Sequence, residues 1–464
     1  MRTPAGRDME RDLLVEEIKR KLKDRNVLLV APTGWGKTHL MMRLAVELAR
    51  EGRVALLAPT LTLLIKKWKE LQQMLSSMQS PPRAILTAGA GQYCVFGYQV
   101  PQRFCSRCSL HRRPPSALHL EGAAVTFEDI DRIIPEDVCG YWIQEAMMSS
   151  YDYDIIAGHY GRLQKIAKLA HYILIDEAHE FYLPHISSYP LDEIAELLGV
   201  PAEELDNISI IRELVAEKLS RLDLDAQAED RLYSLSSALR KTCWIEEQEL
   251  HCMDLYTNLY TMPRGVRIFA ATATPPPGWP PEGWGEKIEI EPTLKPRAFV
   301  EPEARFYFRD RYEGAALQMY YIVKWLRENF GVRSIAVFAI SSLQHVLAYS
   351  LPPGVELYPC WGLDDAWGKM RVGVDLTHDA TVVFWPSLHI SARRRLRAEN
   401  RDPDIVELIE AIQVAGRILR PRGPEERYED VLRKKIIVFA DARYWRFREY
   451  LQRFFDVQEL RLPQ

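Results

Sequence analysis

The segment VLLVAPTGWGKTHL, residues 27–40, constrains the fold more than any other. A leucine- and valine-rich run leads into a turn with two glycines, and an amphipathic stretch follows at once. Glycines allow a tight turn whose backbone N–H groups face a phosphate at the start of a helix. The pattern differs from G-x4-G-K-[ST] only in Ala31 at its first position, and a fortuitous loop is the alternative. The candidate nucleotide-binding residues are Thr33, Gly34, Gly36, Lys37 and Thr38. Lys37 would reach the β and γ phosphates, and Thr38 would ligate magnesium.

Strand-like and helix-like segments alternate along most of the chain. Short apolar runs are followed by longer amphipathic stretches such as HLMMRLAVELAREG at 39–52. This alternation is typical of parallel strands with crossover helices, so we predict an α/β protein. The strand candidates form two groups, which predict two α/β units: VLLVA at 27–31, VALLA at 54–58, YILI at 172–175 and VRIFA at 266–270, then SIAVFAI at 334–340, TVVFW at 381–385 and KKIIVFA at 434–440.

Residues 181–262 differ from both groups. They contain LDEIAELLGV, IRELVAEKLSRL and AEDRLYSLSSALRKTCWIEEQEL, with no strand-like run of comparable strength. We therefore predict that this middle segment is almost wholly helical. The proline-rich PPPGWPPEG at 275–283 predicts a hinge after it.

A magnesium-bound triphosphate requires a carboxylate from a neighbouring strand. The strand candidate YILI ends in DEAH, residues 176–179, where Asp176 would hold the ion through water and Glu177 would polarise the attacking water. An acidic helix start is the alternative for the pair alone.

The transferring phosphoryl group also needs positive charge. The segment QVAGRILR at 413–420 offers Gln413 and two arginines on one helical face, Arg417 and Arg420. A solvated basic face is the alternative. Arginines from the second unit would make the site a composite across a cleft.

Four of the seven cysteines lie between the glycine-rich turn and DEAH: Cys94, Cys105, Cys108 and Cys139. The charged N-terminal segment has no apolar core and the cysteine count is odd, so we expect a reducing, cytoplasmic compartment and a metal or cluster site rather than disulfides. Four thiolates suit zinc or an iron–sulfur cluster, and spacing alone does not separate the two. For Cys243, Cys252 and Cys360 we expect plain buried or idle thiols.

A formal net charge of −4 over 464 residues predicts that any nucleic acid is bound in local grooves. Single strands bind to basic tracks with aromatic faces for stacking. No run of eighteen apolar residues occurs, so no membrane partner is expected. Only five residues are Asn, while Arg, Glu and Pro are plentiful, as in many thermophiles. The candidate contacts to the strand are Thr60, Lys66, His159, Tyr160, Arg103 and Arg107, although LIKKWK fits a helix with solvated lysines equally well.

Taken in order, these segments resemble the motifs of superfamily 2 helicases: APTGWGKT as motif I, DEAH as motif II, ATAT at 271–274 as motif III and QVAGRILR as motif VI. The cysteine insertion opens with GQYC and closes with CGYW, and it resembles the iron–sulfur domain of the XPD and DinG family of DNA helicases. The segment YDYDIIAGHYGRL at 151–163 is similar to that family's approach to motif II. GKMRVGVDL at 368–376, with Asp375 as a further nucleotide contact, resembles motif V.

The resemblance implies two RecA-like parallel-sheet domains, an iron–sulfur insertion and a small helical, arch-like insertion. The expected boundaries are 1–85, 146–180 and 263–285 for the first domain with its hinge, 86–145 for the cluster, 181–262 for the arch and 286–464 for the second domain. The implied cofactors are ATP, Mg²⁺ and a [4Fe–4S] cluster, with zinc less favoured.

The implied activity is that of a monomeric 5′ to 3′ helicase or translocase on single-stranded, forked or overhang DNA. The resemblance also implies a role in DNA repair, with a repair protein as a candidate partner. Two alternatives stay open. One is an ATP-regulated protein that binds single-stranded or damaged DNA and unwinds little, and the other is a DinG-like motor of a mobile element or defence system.

Overall fold

The structure is a computed structural model that describes residues 4–33, 35–98, 104–105, 108–110, 122–134, 136–150, 152–221, 224–246, 248–255, 265–292, 294–304, 312–349, 351–359, 376–419 and 426–462. The chain divides into two compact units. The first comprises Met1–Val30, Gly36–Ala273 and Gly278–Glu289, and the second comprises Ala31–Trp35, Thr274–Pro277 and Ile290–Gln464.

The first unit is built on an eight-stranded sheet in which all strand pairs are parallel, with the order β11-β1-β10-β6-β2-β5-β3-β4. Its strands are β1 (Asn26–Val30), β2 (Val54–Ala58), β3 (Ala84–Leu86), β4 (Ala124–Val125), β5 (Ile155–His159), β6 (Tyr172–Ile175), β10 (Arg267–Thr272) and β11 (Gly285–Glu289). Helix α1 (Pro4–Leu22) precedes β1, and the helices between the strands are α2 (Lys37–Leu48), α3 (Leu61–Ser76), α4 (Ala90–Tyr93), α5 (Phe127–Ile133), α6 (Gly140–Ser149) and α7 (Leu163–Ala167).

The strand predictions for this unit are confirmed. Residues 54–58 form a strand over the predicted range, and every residue of that strand is buried. Continuous apolar runs are expected here because helices cover both faces of a parallel sheet. The buried strands β1, β2, β5, β6 and β10 therefore carry the core of the unit.

Residues 184–255, which we term the middle module, combine helices with a small antiparallel sheet of order β7-β9-β8. The elements are β7 (Pro184–Pro190), α8 (Leu191–Leu198), α9 (Ile208–Ser220), α10 (Ala226–Leu239), β8 (Thr242–Glu246) and β9 (Glu249–Leu255). The prediction of an almost wholly helical segment is therefore wrong. The helices are where the sequence indicated, but TCWIEEQEL forms part of a hairpin instead of extending α10.

The same hairpin overturns the expectation of two plain thiols. Cys243 on β8 and Cys252 on β9 are directly opposite each other in the antiparallel register, and they form a disulfide. The prediction failed because only the strand pairing, and not the sequence spacing, brings the two residues together.

The second unit has a six-stranded sheet of order β14-β13-β15-β16-β12-β17 with all pairs parallel. Three predicted strands are confirmed within it, and α11 packs on its apolar core. No helix in the described part of the chain has the length and apolarity needed to cross a bilayer. The elements are β12 (Arg297–Val300), α11 (Tyr312–Phe330), β13 (Ile335–Ala339), α12 (Ser341–Ala348), β14 (Val355–Pro359), β15 (Ala380–Val383), α13 (Ile390–Ala398), α14 (Pro403–Ala415), α15 (Tyr428–Lys434), β16 (Ile436–Phe439), α16 (Arg448–Leu451) and β17 (Asp456–Glu459).

The middle module offers a matched pair of isoleucines on α9. Ile211 is fully buried in the core of the module, whereas its neighbour Ile210 is 39% exposed. We expect Ile211→Ala to lower the free energy of unfolding by about 2–5 kcal/mol, because it removes buried methylenes and leaves a cavity. Ile210→Ala should cost less than about 1 kcal/mol. Urea unfolding of both variants tests the difference, and equal losses would contradict the packing of α9.

Candidate nucleotide site

The predicted nucleotide residues of the first unit meet at one edge of its sheet. The carboxyl ends of parallel strands share an edge, and ligands bind there in open α/β sheets. The register places Val30 of β1 opposite Thr272 of β10, and Ile175 of β6 opposite Leu57 of β2. Thr272 belongs to ATAT and ends β10, and DEAH follows Ile175, so these segments, which are far apart in sequence, lie near the end of β1.

The glycine-rich turn ends at the N-terminus of α2. Gly36 is the N-cap residue and has a φ of 102°, a conformation that side chains rarely adopt. The backbone conformation therefore requires glycine, and a Cβ atom here would also displace the Arg11 guanidinium, whose Nη2 would lie 2.5 Å away. Lys37 is the first helical residue and is buried. The predicted strand, turn and helix are confirmed here, and Gly34 lies outside the described residues.

Asp176 is the centre of the site. It follows β6, is 1% exposed, and accepts a hydrogen bond from the Glu177 N–H at Oδ1 over 3.0 Å. The Thr38 hydroxyl lies 3.5 Å from Oδ2 of the same carboxylate. A threonine hydroxyl and a carboxylate are hard oxygen donors of the kind that magnesium prefers, so the pair fits Mg²⁺.

Glu177 adopts a left-handed backbone conformation with a φ of 52°. Such strain is uncommon outside glycine and clusters at functional sites. The turn leaves the Glu177 side chain partly exposed, at 29%, beside the buried Asp176. The two carboxylates therefore have different surroundings, as their predicted roles require.

His179 connects DEAH to the strand that carries ATAT. Its Nδ1 lies 2.9 Å from the Thr272 hydroxyl, and both residues are buried. Its Nδ1 also lies 3.5 Å from Glu177 Oε2. This hydrogen bond couples the two segments, so a change in the position of one alters the position of the other.

Lys67 is a residue of this site that the sequence prediction missed. It projects from the buried face of α3 together with Leu64, Trp68 and Leu71, and its ammonium group forms an ion pair with Asp176 Oδ2. A signal was present in the sequence, because Lys67 falls on the apolar stripe of an amphipathic helix. A buried lysine in that position needs an acidic partner.

The predicted contacts to nucleic acid separate into two kinds. Thr60 caps α3 by accepting a hydrogen bond from the Leu63 N–H at 3.2 Å, and Lys66 is exposed on the same helix. Tyr160 is instead 2% exposed, packs on Phe181 and donates a hydrogen bond to the backbone carbonyl of Asp176. Tyr160 therefore stabilises the backbone at Asp176, and its buried ring is not accessible for stacking on a base. Arg103 and Arg107 lie outside the described residues.

The cysteine segment is anchored to the first unit by a buried glutamine. Gln144 on α6 accepts from the Ala88 N–H and from the Tyr93 hydroxyl, both at 2.8 Å, and donates to the Ala88 carbonyl at 2.9 Å. A Cβ atom on Gly140 would lie 2.7 Å from the Tyr93 ring, so α4 and α6 approach closely. Cys94 directly follows α4 and Cys139 directly precedes α6, so two of the four cysteines lie at the ends of neighbouring helices.

The other two cysteines come within electrostatic range of Cys139. Burial raises the pKa of the Cys139 thiol, and repulsion from Cys105 and Cys108 adds to the effect, while the backbone N–H groups of Trp142 and Tyr141 oppose it. All four cysteines lie outside the disulfide and are partly buried. Among the residues that the structure describes, no group of three or more His, Cys, Asp or Glu side chains has the arrangement of a metal site.

The predicted residues of the second unit are only partly described. Gln413 on α14 donates a hydrogen bond to the hydroxyl of Thr274, which belongs to the same unit. Arg417 follows in a 3₁₀ turn and is 4% exposed, which is contrary to a solvated basic face. Arg420 and Asp375 lie outside the described residues, so their roles stay predictions.

His159 makes the stability of the folded protein depend on pH. Burial lowers the pKa of His159 from its usual 6.5, against a backbone hydrogen bond at Pro59 that raises it. The Nδ1 atom accepts a hydrogen bond from the Gly161 N–H at 3.0 Å, which requires this nitrogen to be unprotonated. The unfolded chain therefore takes up the proton first, and the stability contributed by His159 is complete above about pH 6.5 and falls toward the lower folded pKa.

We expect His159→Gln to reduce the loss of stability between about pH 6.5 and pH 5. Urea unfolding at a series of pH values measures it. Identical slopes for the variant and the unmodified protein would contradict a neutral, partly buried imidazole.

The chain is similar to known proteins in sequence over one segment and in structure over its whole length. Residues 7–189 match the family model described as "Type III restriction enzyme, res subunit". No curated protein is significantly similar in sequence. A solved structure titled "XPD_Helicase" has 13% identity and a TM-score of 0.63, with 99% of this chain and 100% of that chain covered. Xpd4 of S. tokodaii has 14% identity and a TM-score of 0.54, with 97% and 99% covered. The chain therefore has the fold of these XPD structures.

Proposed function

We propose that this protein hydrolyses ATP to move 5′ to 3′ along single-stranded DNA and to unwind forked or overhang duplexes, in DNA repair. The observation that carries the proposal is the meeting of Thr38, Asp176 and Glu177 at the carboxyl edge of the first sheet. Glycine-rich turns at helix N-termini bind phosphate, and this one lies beside a pair of carboxylates. The helicase named among the structural neighbours supports the same class of activity.

Each residue has a defined part in the proposed reaction. Lys37, at the first position of α2, contacts the β and γ phosphates, and Gly36 allows the backbone to approach them. Thr38 and Asp176 would hold Mg²⁺, which when bound would neutralise charge on the phosphates. Glu177 orients the attacking water and accepts its proton. Arg417 and Arg420 are the proposed source of positive charge on the transferred group.

We also propose that Cys94, Cys105, Cys108 and Cys139 hold a [4Fe–4S] cluster. The support is the donor set itself: Cys94 and Cys139 flank α4 and α6, which approach each other, and Cys105 and Cys108 are near enough to Cys139 to raise its pKa. Such a cluster would serve as a structural pin for the segment between β3 and β5. Zinc is the alternative that the same donors allow.

The role of Glu177 is tested by Glu177→Gln. The amide keeps the size of the side chain and removes the general base, so ATP hydrolysis should fall about 100-fold or more while ATP and single-stranded DNA still bind. Steady-state hydrolysis and fluorescence binding assays measure both effects. Glu196→Gln, an exposed change on α8, is the control and should hydrolyse ATP normally. Normal hydrolysis by Glu177→Gln would contradict the assignment of Glu177.

Strand displacement separates the proposal from an ATP-regulated DNA-binding protein that unwinds little. The unmodified protein should unwind a duplex with a 5′ single-stranded overhang when ATP is present, and Glu177→Gln should not. A duplex with a 3′ overhang should remain intact. ATP-dependent binding with no displacement on either substrate would instead identify a DNA-binding protein that uses ATP as a signal.

The cluster is tested by Cys105→Ser and by colour. Anaerobically purified protein should be brown, with a broad absorption band near 400 nm that Cys105→Ser weakens or abolishes, because one of four thiolate ligands is lost. Cys360→Ser, outside the four-cysteine set, should keep the band. A colourless protein containing one zinc ion per chain would overturn the cluster in favour of zinc.

A further inference from the structure

Lys67 is joined to the carboxylate that is expected to hold magnesium. Its ammonium group contacts Asp176 Oδ2, and the Thr38 hydroxyl lies 3.5 Å from that same oxygen. The lysine and aspartate side chains are only 9% and 1% exposed. A fixed cation of the chain therefore occupies the oxygen of Asp176 that faces Thr38.

The helix that carries Lys67 holds it in this position. Leu64, Trp68, Leu71 and Leu75 anchor the buried face of α3, and Thr60 caps its first turn. Lys67 lies between Leu64 and Leu71 on that face, so its stem is buried against the sheet and its charge reaches the end of β6. The neighbouring Lys66 and Lys69 are exposed. The position of Lys67, rather than the abundance of lysine on α3, directs it to Asp176.

We propose that Lys67 is an internal counter-cation that holds Asp176 while the site lacks metal and that Mg²⁺ must displace. The inference rests on the proposed function only for the identity of the metal site. An isolated carboxylate this deeply buried would be strongly unfavourable, and Lys67 supplies the missing positive charge. Mg²⁺ and the ammonium group repel each other at contact distance, so both cannot occupy the same oxygen.

The consequence is a site that binds Mg²⁺ more weakly when no nucleotide is present. Mg²⁺ that arrives with a nucleotide brings additional phosphate ligands, which favour the exchange, whereas free Mg²⁺ must compete with Lys67 unaided. Lys67 is therefore a positioning residue that acts through Asp176. Because α3 also carries Thr60 and Lys66, displacement of Lys67 would be transmitted to a helix proposed to contact DNA.

The test measures metal binding by nucleotide-free protein, with Mn²⁺ as the probe. The six-line paramagnetic resonance signal of free Mn²⁺ disappears when the ion binds. Lys67→Met retains the length of the side chain and removes its charge, so it should bind Mn²⁺ about tenfold more tightly than the unmodified protein. Lys69→Met on the exposed face is the matched control and should bind as the unmodified protein does. The combined variant Lys67→Met/Asp176→Asn should lose the gained affinity.

A second variant covers the case in which Lys67→Met does not fold. Lys67→Arg keeps the charge and can pair with both carboxylate oxygens, so Mn²⁺ should bind more weakly when a non-hydrolysable ATP analogue is present. Circular dichroism and thermal melting establish that each variant is folded. Unchanged Mn²⁺ affinity in the folded variant would show that Lys67 is only a structural ion pair and would overturn the inference.

The outcome is separable from the fate of the proposed function. If the protein fails to hydrolyse ATP but Lys67→Met gains Mn²⁺ affinity that depends on Asp176, the inference stands without the motor. If hydrolysis is robust and the Lys67 variants bind Mn²⁺ normally, the motor stands and the inference fails.

Discussion

Parallel backbone pairing at the carboxyl edge of the eight-stranded sheet is the constraint on which the site depends. Backbone hydrogen bonds join β1 to β10, β10 to β6, and β6 to β2. In these registers the carboxyl ends of the four strands lie side by side. Each buried N–H and C=O must be paired, so a strand cannot shift by one residue without breaking the ladder and turning every side chain over. The turn after β1, Thr272 on β10 and Asp176 after β6 are thus positioned by backbone hydrogen bonds before any side chain contributes.

Side chains then fix the DEAH segment on that edge against an appreciable cost. A left-handed residue such as Glu177 costs on the order of 1–3 kcal/mol, and an unpaired buried carboxylate costs several more. The Asp176 carboxylate accepts a hydrogen bond from the Glu177 N–H and forms an ion pair with Lys67. The backbone carbonyl of Asp176 accepts a hydrogen bond from the Tyr160 hydroxyl. His179 is hydrogen-bonded to Thr272. Hydrogen bonds to charged groups contribute about 1.5–3 kcal/mol each, so two or three offset the strain. The result is a carboxylate pair fixed before a ligand arrives, which is what electrostatic catalysis requires.

The sequence predicts those parts of the molecule whose signal is local. Fully buried strands such as 54–58 are continuous apolar runs, and the glycine-rich turn is defined by consecutive residues. The hairpin of β8 and β9 was missed because its short segments interleave apolar and charged residues, and its stability comes from pairing across strands. Lys67 was missed for a related reason: its partner Asp176 is distant in sequence, and only the packing of α3 on the sheet connects them. Tyr160 was misjudged because an aromatic residue beside a histidine looks the same in sequence whether its ring faces solvent or the core.

Both large connections of the first unit are consistent with the same parallel sheet. A parallel pair cannot be joined by a tight turn, because the chain must return to the opposite edge before the next strand begins. The connections from β3 through β4 to β5 carry the four cysteines, and the connection after β6 carries the middle module, so each leaves from the carboxyl edge. Extra residues there lengthen crossings that are obligatory in any case, and the entropic cost of a longer loop grows only slowly with its length. The sheet can therefore keep its register while the connections vary, and additional structure accumulates on the edge where the glycine-rich turn and Asp176 already lie.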